Sequence, residues 1–294
     1  MTDPEFSVII CTLNRASQLP LALDALSIAV DRAQQAIEVI LVNNGSTDNT
    51  QQVMEDWAAK QSVPVRIVVE ERRGLSCARN AGLAAARGRI IVMTDDDCTL
   101  EPDYFDHVRA AYARDSREVI RGGMVTLGDD RDIPFTTKLD PNPAELGPVA
   151  MPSGFIIGAN FTMQRAVAER IGKFDERFGA GAPFIGSDDT DYLVRAQNLG
   201  VPILYDPTFR VAHYHGRRGM DQARKMYRGY GFGNGALFAK HLKQKRVRAW
   251  MAESVRAAIR DILGKTEHDL IDKRDVFKLK HHVRGFVAYI RHRG

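Results

Sequence analysis

Short apolar, β-branched runs alternate with stretches of helical spacing along the first 216 residues. Residues 6–10, which read Phe6-Ser7-Val8-Ile9-Ile10, predict a buried strand. Residues 19–30 follow with Leu23, Leu26 and Val30 at helical spacing. Further strands are predicted over 38–42, 65–69 and 89–93, with helices over 48–60 and about 76–87. Glu101-Pro102-Asp103 looks like the start of another helix. After a strand at Val119-Ile120 the period is lost, and residues 125–152 carry Pro134, Pro141, Pro143, Pro148 and Pro152. A loop this long in a compact domain is commonly functional, and it reads as an acceptor-side loop or lid. Beyond it come the apolar stretch 155–160, helices near 165–171 and over 192–199, and strands around 203–205 and 209–213. Strands and helices alternating at this size predict an α/β fold, a mainly parallel sheet with helices on both faces.

Ligands in such sheets bind at the carboxyl ends of the strands. Three polar clusters fall at such ends: Thr12, Asn14 and Arg15; Asn43, Asn44, Ser46 and Asp48; and the triplet Asp95-Asp96-Asp97 behind Ile90-Ile91-Val92. Three packed carboxylates are unfavourable unless a cation or a charged ligand sits among them. Oxygen ligands of this kind suit Mg²⁺ or Mn²⁺, which in turn hold phosphate oxygens. The competing reading of the triplet alone is a solvated acidic turn before the next helix. Three clusters on one edge favour a site.

The ordered series Val8-Ile9-Ile10-Cys11-Thr12-Leu13-Asn14-Arg15, Val42-Asn43-Asn44-Gly45-Ser46-Thr47-Asp48, Gly74-Leu75-Ser76-Cys77-Ala78-Arg79-Asn80-Ala81-Gly82 and Asp95-Asp96-Asp97 resembles the family 2 glycosyltransferases. Phe178-Gly179-Ala180-Gly181, Ser187-Asp188-Asp189-Thr190-Asp191 and His213-Tyr214-His215 are similar to the second half of the same domain. The resemblance covers about residues 6–216. It implies the GT-A fold, a nucleotide-diphosphate sugar donor with a UDP-sugar first among the candidates, a divalent metal (Mn²⁺ or Mg²⁺), and inverting transfer to a hydroxyl acceptor. That acceptor would be a polysaccharide, a lipid-linked or another glycan, as in cell-envelope polysaccharide synthesis.

A metal bridging the diphosphate stabilises the charge of the leaving group, and Asp95 and Asp97 are the residues chosen for it. The resemblance puts direct contact at Asp97. Asp96 either points away or meets the ribose, and which two acids face the metal stays open. Inverting transfer needs a base on the acceptor side. Asp188-Asp189 stands where these enzymes usually have Glu-Asp, so Asp189 is the expected base. Asp188, one methylene shorter than Glu, leaves the usual acceptor contact in doubt. The alternative for this pair is simple capping of the following helix. Thr12, Asn14 and Arg15 would approach the base and diphosphate. Asn43 would meet the uracil or ribose from the turn that also holds Asn44 and Ser46, or that turn only caps the next helix. Arg79 and Asn80 would lie near the nucleotide, where a guanidinium pairs well with phosphate. His213 matches the family's late histidine, which completes the metal shell or meets the diphosphate; His215 shares its face, and an ordinary surface pair is the alternative.

Charge divides the chain. Of 294 residues, 44% are hydrophobic and 27% charged, ordinary for a folded protein, and the net charge is +4. Residues 1–216 carry −9 and residues 217–294 carry +13. This predicts a catalytic domain over 1–216 and a basic helical C-terminal extension over 217–294. In the extension Val247, Trp250, Met251, Val255, Ile259, Ile262 and Leu263 fall on one helical face. Val276, Leu279, Val283, Phe286, Val287 and Ile290 fall on another, against Lys273, Arg274, Lys278, Lys280, Arg284 and Arg291. Such helices either pack on the domain or lie on an anionic membrane. No nucleic-acid motif accompanies the charge, so no nucleic-acid partner is expected.

No apolar run reaches the roughly 20 residues that cross a bilayer, and the acidic start Met1-Thr2-Asp3-Pro4-Glu5 does not read as a secretory leader. Cys11, Cys77 and Cys98 are odd in number and far apart, as in a reducing compartment. The expected location is cytoplasmic, peripheral at the inner membrane face if the extension docks there. Gly231-Phe232-Gly233-Asn234-Gly235-Ala236 lacks the preceding strand of a dinucleotide site and reads as a close-packed or hinged break between helices. Two other functions remain open. A GT-A-like nucleotidyltransferase would want a Gly-rich loop after the first strand, where Cys11-Thr12-Leu13-Asn14-Arg15 has no glycine. A non-catalytic nucleotide-sugar or glycan binder would not need acids at both sites.

Overall fold

The computed structural model describes residues 3–265 and 274–292; Met1, Thr2 and Lys273 lie outside them. The first half alternates as the hydrophobic pattern predicts: β1 (Phe6–Thr12), α1 (Leu19–Arg32), β2 (Ile37–Asn43), α2 (Thr50–Ala58), β3 (Val65–Val69), α3 (Leu75–Ala85), β4 (Ile90–Asp95), β5 (Cys98–Leu100) and α4 (Tyr104–Ala113). Then follow β6 (Ile120–Leu127), β7 (Ala144–Glu145), β8 (Asn160–Gln164), α5 (Arg165–Ile171), α6 (Asp188–Asn198), β9 (Ile203–His213), α7 (Met220–Lys240), α8 (Lys245–Ile262) and α9 (Arg274–His292).

The strands form one sheet in the order β3-β2-β1-β4-β8-β6-β9-β5, with β7 paired to β9. The half from β3 to β4 is parallel, as is the β6–β9 pair, while β8, β5 and β7 join antiparallel. Successive strand residues point to opposite faces, and here both faces are cores. Val8, Ile10, Val39, Leu41, Ile90 and Val92 pack beneath α1, α2 and α4. Ile9, Ile40, Val42, Ile91 and Met93 pack beneath α3, α5 and α6. That is why these strands read as unbroken apolar runs rather than as alternating ones.

Several elements differ from the sequence expectation. β8 goes unpredicted because two of its inward residues are polar; Asn160 accepts from the Tyr104 hydroxyl at 2.7 Å and Thr162 pairs with the Tyr112 hydroxyl at 3.0 Å. Segments 203–205 and 209–213 are one strand, β9, and a register shift at Gly123/Met124 of its partner β6 absorbs the irregularity between them. α6 begins at Asp188, not Tyr192, so both acids of the pair sit in its first turn. The long loop begins after Leu127, because the first three residues of the expected range belong to β6, and it carries β7.

The C-terminal helices pack on the rest of the chain through a third core. In it Phe178, Phe184 and Val194 meet Leu237, Phe238, Val247, Trp250 and Tyr289. The glycine run is no break: it lies inside the continuous helix α7. Its close packing is real, since a Cβ on Gly235 would fall 2.0 Å from the His282 carbonyl oxygen of α9. One on Gly285 of α9 would fall 1.8 Å from the Phe232 oxygen of α7. Among the described residues no helix is long and apolar enough to cross a membrane.

Candidate active site

Parallel pairing sets the ends of β1, β2 and β4 side by side: Thr12 lies beside Asn43 and Cys11 beside Asp95. After Asp95 the chain makes a tight turn through Asp96 and Asp97 into β5, which pairs with the end of β9 in the register Cys98 to His213. That register brings His213 Nε2 to 3.2 Å from Asp97 Oδ1. The other ring nitrogen, Nδ1, is 3.0 Å from Thr136 Oγ1 in the long loop, which fixes the plane of the imidazole. Arg15 reaches Asp97 Oδ2 at 3.3 Å and Asp96 Oδ1 at 3.5 Å.

The charges respond to this packing. Burial pushes the Asp96 carboxyl up to about 6. Burial also raises Asp95, with Asp97 adding to the effect and Arg79 opposing it. At Asp97 burial acts upward too, but the hydrogen bond and charge of His213, together with the charges of Arg15 and Arg217, outweigh it and hold the carboxyl below its usual range. His213 is shifted up in return, against its own burial. Asp97, His213 and the thiol of Cys98 converge within 4.8 Å of one another. Burial raises that thiol well above its usual range. Carboxylate oxygens with one imidazole, the second ring nitrogen already held, form a donor set that fits Mn²⁺ or Mg²⁺.

The second acid pair enters from α6. Asp188 is ion-paired with Arg79, whose other terminal nitrogen lies 3.6 Å from Asp95. A guanidinium expected beside a nucleotide phosphate thus joins the two acid groups. Asp189 Oδ1 accepts from the Thr190 backbone N–H at 2.6 Å and from its hydroxyl at 3.2 Å. Oδ2 has no donor among the described residues, and Gly158 backs it so closely that a Cβ there would come within 3.4 Å. Burial, reinforced by Asp188, raises the Asp189 carboxyl above the ordinary range. Ser187, at φ 61°, turns the chain sharply into the pair, and its hydroxyl donates to Asn234 of α7 at 2.8 Å. One turn further on, buried Asp191 is held by Lys240 at 2.6 Å and His241 at 2.8 Å, so α7 anchors the helix that carries the acids.

A cleft of about 1360 Å³ takes in Thr12, Arg15, Asn44, Arg79, Asp95, Asp96, Asp97, Asp188, Asp189 and His213. Asn14, Asn43, Ser46 and Asn80 are not among its lining residues. Their polar atoms serve the framework. Asn43 accepts from the Ser46 N–H and donates to Gln51, while Asn14 N donates to the Ser46 hydroxyl and Asn14 Oδ1 accepts from Thr47 N. Asn80 exchanges hydrogen bonds with the Phe174 backbone. Asn44 lines the cleft but spends its amide on Glu70, Arg72 and Gly74. His215 turns to the loop, at 3.1 Å from the Ile133 oxygen.

Residues without a motif also line the cleft: Phe135 and Thr136 from the long loop, then Arg217, Lys225, Tyr230, Trp250 and Lys278. Tyr230 lies close enough to Asp189 and Asp95 for their charges to help burial raise its hydroxyl. No local pattern marks these positions. A second depression of about 1390 Å³ lies at the amino ends of the strands, around Glu5, Arg89 and Glu118, where Glu5 is already paired with Arg89.

The fold and cleft define an α/β domain of the open-sheet kind, with an acid-lined site at the carboxyl edge of its parallel strands. The chain belongs to glycosyl transferase family 2, whose model matches residues 7–172. It is 28% identical over 139 residues to the uncharacterized glycosyltransferase EpsJ of Bacillus subtilis (strain 168), covering 47% of this chain and 39% of that protein. It is 22% identical over 215 residues to the glucosyl-dolichyl phosphate glucuronosyltransferase of Haloferax volcanii, covering 70% of this chain and 68% of the relative. Its fold is similar to that of the mannosyltransferase PcManGT from Pyrobaculum calidifontis in complex with GDP-Man and Mn²⁺. That match has a TM-score of 0.65 and 19% identity, over 100% of this chain and 89% of the other. The chain spans well under half the length of the first curated relatives it matches.

Proposed function

We propose that this protein transfers a sugar from a nucleoside-diphosphate sugar, a UDP-sugar foremost, to a hydroxyl of a glycan or lipid-linked acceptor, with inversion at the anomeric carbon. Residues 1–216 are the catalytic domain in this reading, and 217–294 an extension that walls its acceptor side. The observation that carries it is Asp189: one carboxylate oxygen is anchored by Thr190, and the other is open in a cleft that also holds Asp97 and His213.

In the reaction the acceptor hydroxyl gives its proton to Asp189 Oδ2 as its oxygen bonds to the anomeric carbon. The bond from that carbon to the β-phosphate oxygen breaks, and its electron pair leaves with the nucleoside diphosphate. Asp97, with Asp95 and His213, would hold a divalent ion, which supplies charge neutralisation for the departing diphosphate when bound. Arg15 and Arg217 are further cations on the cleft wall suited to the same developing charge. Arg79 sits between Asp188 and Asp95 and partly compensates both, while Asp189 Oδ2 stands open on the acceptor side to take the proton.

The test is a panel of UDP- and GDP-sugars with Mn²⁺ or Mg²⁺, read by thermal shift and by release of nucleoside diphosphate. At least one donor is expected to raise the melting temperature only with metal present and to be cleaved slowly even without acceptor. Turnover of a nucleoside triphosphate to pyrophosphate, with no sugar nucleotide stabilising the protein, would overturn the reading.

A further inference from the structure

α8 and α9 present two aliphatic strips to solvent. Val255, Ile259 and Ile262 recur at helical spacing along α8 and Leu263 at its C-cap continues them, and Val283, Val287 and Ile290 do so along α9. All seven side chains are between 41 and 66% exposed. The two helices run antiparallel. Backbone N–H groups of Asp275 and Val276 donate to Asp261 at one end, and Trp250 and Tyr289 share the third core at the other. The cleft-lining residues of α8, among them Trp250 and Ser254, lie roughly opposite its strip at 3.6 residues per turn, so the single apolar face expected over 247–263 divides into buried Val247 and Trp250 and an exposed strip. The strips therefore belong to neither the core nor the cleft.

Charge identifies what would cover them. Lys280, Arg284 and Arg291 flank the α9 strip, and among the described residues none has a carboxylate within 4.0 Å. Arg256 and Arg260 flank the α8 strip and share Glu253. Seating the face on a second copy of the chain through a two-fold axis would press these cations against their own images. An anionic bilayer takes both components at once: the aliphatic side chains enter the headgroup boundary while the cations meet lipid phosphates. We propose that α8 and α9 dock this protein on an anionic membrane through Val283, Val287 and Ile290, with the α8 strip alongside. The inference rests on surface chemistry and not on the catalytic reading.

Co-sedimentation of the full chain with vesicles tests it, using phosphatidylcholine alone and phosphatidylcholine mixed with phosphatidylglycerol. Binding to the mixed vesicles should exceed binding to the neutral ones by about tenfold or more at low salt, and fall as salt rises. The pair Lys280→Glu/Arg284→Glu should lose about tenfold or more of that binding. Val287→Glu/Ile290→Glu should lose a comparable share. Both pairs should melt like the parent because the positions are exposed. Salt-insensitive or equal binding to the two vesicle types overturns the proposal, as does parent-like binding by both folded variants. A solution dimer that the same variants dissolve assigns the face to a second copy instead. Should a variant misfold, the vesicle preference and salt dependence of the unmodified chain decide the matter.

Discussion

The guanidinium of Arg79 is ion-paired with Asp188, a residue 109 positions further along the chain, and both side chains are more than nine-tenths buried. The pair holds the start of α3 against the start of α6 and so sets where the second acid group stands beneath the sheet edge. Breaking one side of a buried pair leaves an uncompensated charge, which costs more than the pair itself contributes. Arg79→Met is therefore expected to destabilise the fold by about 3–5 kcal/mol in chemical denaturation. Arg79→Met/Asp188→Leu should recover a large part of that loss. A single variant within 1 kcal/mol of the parent, on the order of an exposed pair, would mean that water already reaches Asp188.

Asp189→Asn preserves shape and removes the proton acceptor. Donor affinity should stay near the parent value, while kcat falls by about 10²–10⁴. The same assignment fixes the sign of the pH dependence. Asp189 works as a base only when deprotonated, and its carboxyl is raised by burial and by Asp188. Activity should therefore fall as pH drops through a value above the ordinary carboxylate range near 4, seen as the acid limb of kcat/KM against pH. A limb lying below that range would place the base elsewhere.

His213 is aimed at Asp97 by Thr136 on its other ring nitrogen. Removing an outer partner of this type typically costs 10–100-fold in metal affinity. Thr136→Val should therefore weaken Mn²⁺ binding by about 10-fold or more, and His213→Ala further, both measured by calorimetric titration. Equal affinity in all three proteins would exclude His213 from the ion's shell.

Gly285 and Gly219 make a matched pair of tests for the C-terminal packing. A Cβ at Gly285 would overlap the Phe232 carbonyl oxygen, whereas one at Gly219 meets nothing closer than Gln222 at 3.8 Å. Gly285→Ala should cost on the order of 1–3 kcal/mol or more through overpacking of α9 on α7. Gly219→Ala, at the N-cap of α7 where glycine is preferred to alanine, should cost no more than about 1 kcal/mol. A thermal melt of the two variants distinguishes them.

Much of the donor half is legible along the chain. The runs through Ile9, Ile40 and Ile91 mark strands buried on both faces, and the polar residues that follow each run mark the sheet edge where ligands bind. The acids Asp95, Asp96, Asp97, Asp188 and Asp189 do gather in one cleft with His213. The asparagines carry no such unambiguous signal. Asn43, Asn44 and Asn80 sit in motif positions, yet their amides satisfy backbone groups of neighbouring loops. An amide that both donates and accepts serves either purpose equally well, and only its neighbours reveal which.

Local pattern by itself determined strands β1 to β4 and the two parts of β9, most helices, the acidic clusters and the charge division near residue 216, because burial and helical period are written into adjacent residues. Tertiary structure alone decided three matters. Asn160 and Thr162 form a core strand because Tyr104 and Tyr112 from a distant helix satisfy them. The glycine run is an unbroken helix because α9 lies against it. The basic extension walls the cleft because its apolar side completes a core with Phe178, Phe184 and Val194. Each of these depends on contacts between residues far apart in the chain, whose free energy no local window contains.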